Sequence, residues 1–168
     1  LLPTPYLSGY GWREHPGHYA IDLNTPSTDK TLRAPFAGTR IVADPCPACT
    51  ADGSITGQLP AGTTFTPENN WGYGAVAIVE TRAEDLTIEQ RSDLAERGVV
   101  VEAGQSLYIL TAHLQPDTVT GAGAALEAGD PIATLGTSGK RCQPLNGPPL
   151  YSMVSLRRMA KGNRAIRD

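Results

Sequence analysis

Short apolar and β-branched runs, cut by glycine and proline, dominate the chain and read as strands bounded by turns. The alternation predicts strands at 20–23, 31–34, 38–43, 75–81, 99–101, 106–114, 131–135 and 150–156. One stretch has helical character. Asp85 stands as a cap before 86–97, where Leu86, Ile88 and Leu94 are apolar and Gly98 follows as a stop. The polar face of 84–97 is expected to meet water. Residues 44–70 form a long insertion rich in Gly, Pro and Thr, and loops of that length inside a domain are often functional or mobile. No internal repeat interrupts the pattern. The expectation is a mostly β, antiparallel domain with one inserted helix.

The length of 168 residues suits one domain. With 40% apolar residues, disorder is not expected. No run of about 18 apolar residues is present, so no transmembrane segment is predicted. The chain begins at Leu1 without an initiator Met, as expected of a processed or trimmed form. A formal net charge of −3 argues against general nucleic-acid binding. That charge is unevenly spread. Beyond residue 139 stand Lys140, Arg141, Arg157, Arg158, Lys161, Arg164 and Arg167 against Asp168 alone. The reading is a β domain over 1–156, with insertions at 44–70 and 82–103, and a basic tail at 157–168 that is solvated or touches an anionic surface or partner.

The three cysteines are Cys46, Cys49 and Cys142. Cys46-Pro47-Ala48-Cys49 has the spacing of a metal or redox pair, but no second pair completes a zinc ribbon and no helix is predicted to follow it. A local disulfide between Cys46 and Cys49 in a surface loop is the simplest account, and it fits an oxidising compartment. Cys142 is then left over or competes for one of the pair.

His18-Tyr19-Ala20-Ile21-Asp22 places a histidine and a carboxylate four residues apart. In a straight strand the two share a face but lie roughly 13 Å apart, at about 3.3 Å per residue. They can bind one ion only if the chain turns between them. Around this pair stand Gly9-Tyr10-Gly11-Trp12-Arg13-Glu14-His15-Pro16, Leu32-Arg33-Ala34-Pro35-Phe36-Ala37-Gly38, Trp71-Gly72-Tyr73-Gly74-Ala75-Val76, Leu107-Tyr108-Ile109-Leu110-Thr111-Ala112-His113-Leu114 and Leu126-Glu127-Ala128-Gly129-Asp130-Pro131, the last running on to Gly136-Thr137-Ser138-Gly139. In this order the pieces resemble the lysostaphin-type (LytM-like) zinc endopeptidases that cut peptidoglycan, from about Gly9 to Gly139. The resemblance implies an antiparallel core of the duplicated-hybrid-motif kind and an extracytoplasmic location. It places zinc ligands at His18 and Asp22 and a catalytic histidine at His113. Trp12, Tyr73 and Tyr151 are candidate groove residues, although core packing is an equal reading for the aromatics. Pro35, Gly38, Gly129 and Gly136 serve turns.

One element of the family pattern is missing. The family closes its site with His-x-His on the last core strand, the second histidine binding zinc and the first lying near the activated water. Here the stretch reads Asn146-Gly147-Pro148-Pro149-Leu150-Tyr151-Ser152-Met153-Val154. The two positions fall on Leu150 and Ser152, or the third ligand falls on Tyr151. The histidines of the sequence are His15, His18 and His113. A catalytic zinc needs three protein ligands and an open position, and neutral hydroxyls are poor substitutes. Zinc binding is therefore expected to be weak or absent. The leading expectation is a degenerate, non-catalytic member that binds a peptidoglycan peptide or a wall-associated protein. The alternatives are an active zinc endopeptidase that recruits Cys142 or His15 as a substitute ligand, and a structural subunit of an extracellular assembly. A lipoyl- or biotin-carrier reading fails because Lys30, Lys140 and Lys161 lack the required hairpin setting. Thr137-Ser138-Gly139 reads as a turn, without the His–acid pair a nucleophilic serine needs.

Overall fold

The two longest apolar alternations lie side by side at the centre of one antiparallel sheet. They are Ala75–Arg82 and Gln105–Leu114 in the computed structural model, which describes residues 6–8, 21–23, 29–139 and 152–160, the first two stretches and the last as backbone strands. In chain order the strands are β1 (Tyr6–Ser8), β2 (Ile21–Leu23), β3 (Thr31–Arg33), β4 (Gly38–Asp44), β5 (Ala75–Arg82), β6 (Gln105–Leu114), β7 (Ala125–Leu126), β8 (Pro131–Thr134) and β9 (Ser152–Ala160). The α-helix α1 spans Ile88–Glu96. The large sheet runs β1-β2-β9-β6-β5-β4-β7, and β3 pairs with β8 in a small second sheet. Every strand pair is antiparallel. The mostly β, antiparallel expectation with a single α-helix holds for the described residues.

Alternation explains which face is buried. Ala75, Ala77, Val79 and Thr81 on β5, and Leu107, Ile109 and Thr111 on β6, turn inward, as a period of two requires. Leu32 of β3 and Ile132 and Ala133 of β8 join the same apolar cluster. Each fully buried Leu or Ile stabilises the fold by about 1.5–3 kcal/mol relative to exposure. Between Arg40 and Val42 the register with β5 shifts by one residue, so Ile41 bulges outward and stays exposed. The Arg40 guanidinium is buried. It donates to the Thr120 carbonyl and, at 2.9 Å, to that of Pro131, tying the loop at Thr120 and the start of β8 to β4.

The helix departs from its expected start. Thr87, not Asp85, is the cap: its hydroxyl accepts from Gln90 N at 3.2 Å, and the Gln90 side chain accepts from Thr87 N at 2.9 Å. This reciprocal pair is a capping box. Leu86, just before the cap, is buried, whereas Ile88 is exposed. At the far end Gly98 has φ of 79°. Its N–H bonds to Ala95 O and the Val99 N–H to Leu94 O, a Schellman stop. That is why 99–101 is not a strand: Val99 closes the helix instead, and it packs with Leu94 against the core.

The insertion 44–70 is organised by two 3-10 turns, Pro47–Cys49 and Pro67–Gly72. Cys46 and Cys49 form a disulfide with Cα atoms 5.3 Å apart. It is not a surface feature, because both cysteines are buried in the core cluster.

Candidate functional site

β6 carries an irregularity where the resemblance places a catalytic group. Ala75 of β5 pairs with Leu114, but Ala77 pairs with Thr111. Two steps on β5 therefore oppose three on β6, a β-bulge at Ala112 and His113. A bulge breaks the alternation and re-aims a side chain. His113 has φ of 58°, left-handed backbone that few non-glycine residues adopt. Neighbouring backbone holds it there: the His113 N–H donates to Tyr73 O at 2.9 Å, and Gly136 N–H donates to His113 O at 3.1 Å. Strain held in place by its surroundings is frequent at functional sites.

The imidazole is half-buried. Its Nδ1 lies 2.8 Å from the Ser138 carbonyl oxygen. The Tyr73 ring sits 6.4 Å away, centroid to centroid, at 50°, within the range of tilted aromatic contacts. Tyr73 is exposed, as is Trp71. Trp71 belongs to a left-handed run, Asn70, Trp71 and Gly72, and Gly74 is left-handed too, while Tyr73 between them keeps right-handed backbone at φ −70°. The Asn69 side chain stabilises that run by accepting from Thr66 N and Gly72 N at 3.0 Å each, while Asn70 donates to Gly74 O at 2.8 Å. An added Cβ on Gly72 would collide with the Phe65 ring, so glycine lets Phe65 lie against the backbone between Trp71 and Tyr73.

β9 lies between β2 and β6. Met153 is opposite Asp22 on one side and Ala112 on the other. The sheet thus places the strand position of Asp22 in the same cross-strand row as the residue next to His113. His18, Trp12, His15, Tyr151 and Cys142 lie outside the described residues, and Asp22 is described only as a strand position. Among the described residues no three His, Cys, Asp or Glu side chains form a metal-binding group. The first positions of β9 are Ser152, Met153 and Val154, set against Leu23, Asp22 and Ile21. A hydroxyl, a thioether and an alkyl chain are not the nitrogen, thiolate or carboxylate donors that hold catalytic zinc. The donor set on this strand does not fit the metal.

Sequence reading missed Ser138. It is fully buried, although its run of small polar residues reads as an ordinary turn. The available signal is its place between Gly136 and Gly139, two glycines whose added Cβ atoms would strike backbone of Gln115 and of Gly72.

No family model matches the chain, and no match was found among curated proteins or solved structures. No helix among the described residues is long and apolar enough to cross a membrane.

Proposed function

We propose that the chain is a lysostaphin-type peptidase-like domain with an incomplete zinc centre, which binds a peptidoglycan peptide or a wall-associated protein outside the cytoplasm without cutting it. The observation that carries this reading is the opening of β9. The strand beside Asp22 opens on Ser152, and the positions where the family pattern calls for histidine fall on Leu150 and Ser152, or the third ligand on Tyr151. Two ligands at most, His18 and Asp22, leave an ion largely hydrated and easily stripped. Such an ion cannot be relied on to hold a hydroxide at neutral pH. The bulged, buttressed His113 and the exposed Trp71 and Tyr73 support retention of a groove that meets a ligand. The Cys46–Cys49 disulfide supports an oxidising compartment.

Zinc titration of the whole chain by calorimetry tests the proposal, together with co-sedimentation on purified sacculi. Sacculus binding that His113→Ala weakens, with no tight zinc uptake and no chelator-sensitive release of wall peptides, is the expected result. One-to-one zinc binding lost in His18→Ala, with chelator-sensitive wall cleavage, would overturn it. That outcome would favour the second reading, an active endopeptidase with a substitute ligand, which draws support from the joint presence of His18, Asp22 and His113.

A further inference from the structure

We infer that Ser138 is the positioning residue of His113, fixing the imidazole in the tautomer that carries its proton on Nδ1 and its lone pair on Nε2. The argument starts at the imidazole contact. A backbone carbonyl can only accept, so the 2.8 Å contact between Nδ1 and Ser138 O requires the hydrogen on Nδ1. In the neutral ring the other nitrogen is then the acceptor. An unconstrained imidazole in water favours the opposite arrangement, so the carbonyl must be held rigidly to impose this one.

Ser138 supplies that rigidity. Its hydroxyl donates to Leu114 O at 2.6 Å and accepts from Ala75 N at 2.9 Å. Ala75 and Leu114 are the register pair that closes the bulge. The hydroxyl therefore bridges β5 and β6 beside the irregularity that turns His113 out of the alternation. Ser138 has no exposed surface, so no water competes for either bond. Gly139, the next residue, donates to Gly57 O at 2.8 Å and accepts from Leu59 N at 3.0 Å, which pins the strap from the insertion side. Gly74 closes the remaining space: an added Cβ there would overlap Ser138 and Gly139 backbone. Clamped on both sides, the Ser138 carbonyl cannot turn away from the ring. Whatever meets the Nε2 edge of His113 meets a hydrogen-bond acceptor.

That His113 meets a bound peptide rests on the proposed function. The tautomer rests on the geometry alone, and the experiment keeps the two apart. Long-range nitrogen–proton correlation spectra of the ¹⁵N-labelled full chain, recorded near pH 8 where histidine is ordinarily neutral, report the tautomer directly. The unmodified chain is expected to show the His113 proton on Nδ1. Ser138→Ala and Ser138→Cys remove the strong hydroxyl bridge, and the Cys sulfur still fills the space of the hydroxyl. Both are expected to move the tautomer ratio about tenfold toward Nε2–H, the scale of one lost hydrogen bond. A packing role alone would leave the Cys variant unchanged. A His113 proton on Nε2 in the unmodified chain, or a ratio unmoved in a folded Ser138→Cys variant, would overturn the inference. If neither variant folds, the spectrum of the unmodified chain still decides. Loss of sacculus binding with the Nδ1–H tautomer intact would count against the proposed function only.

Discussion

Tyr108 illustrates how a single side chain ties charge to stability here. Its hydroxyl donates to the Glu80 carboxylate at 3.0 Å, and Ser106 donates to the same oxygen at 2.7 Å. Burial, and then the Glu80 hydrogen bond and charge, raise the Tyr108 pKa above its ordinary value of 10.0. The folded chain thus keeps a proton that the unfolded chain releases above about pH 10. Stability from this group is complete below that pH and is lost as pH climbs through the raised folded value. Urea midpoints measured between about pH 9 and about pH 11 should fall for the unmodified chain and fall less for Tyr108→Phe. Equal alkaline losses in the two proteins would contradict the assignment. His113 and Ser138 act at the same scale but by another means, since there backbone conformation and one carbonyl decide what a ring presents.

Among the elements, the insertion 44–70 has the largest bearing on the site. Its buried disulfide lies on one side of Gly57, where an added Cβ would meet the side chains of Cys49, Pro116 and Ser138. Gly57 in turn accepts the Gly139 N–H. The insertion is therefore a bracket for the strap that holds His113. Closing so short a loop stabilises by about 2 kcal/mol through the entropy of the unfolded chain. The double variant Cys46→Ser, Cys49→Ser should lose roughly that amount in guanidinium unfolding. Insensitivity of the unmodified chain to a thiol reductant, together with an unchanged double variant, would show that the bond contributes nothing.

At the scale of the molecule, β9 joins the two halves of the large sheet. Val154 pairs with Ile21 of β2 and with Thr111 of β6, so its backbone has a neighbour on each side. Proline there removes a donor and fits poorly between two strands. Val154→Pro should abolish the cooperative thermal transition followed by far-ultraviolet circular dichroism, whereas Val154→Thr should keep it. A cooperative Val154→Pro protein would mean that β9 is dispensable. The basic residues Arg157 and Arg158 take strand positions opposite Tyr108 and Leu107. Part of the positive C-terminal charge thus enters the sheet ladder.

Local pattern alone determined the β-rich class, most strand positions, the helix and its Gly98 stop, and the Cys46–Cys49 pair. Each depends on residues within a few positions: a period of two, a left-handed glycine, a short ring closure. The strand order, the burial of the disulfide and the cap at Thr87 required the folded chain. So did the His113 bulge and its bracket at Ser138. These rest on partners far apart in sequence, Thr111 and Leu114 against Ala77 and Ala75, or His113 against Ser138, and no alternation within one segment encodes a partner on another. Only packing selected which strand gains a residue and which carbonyl meets the ring.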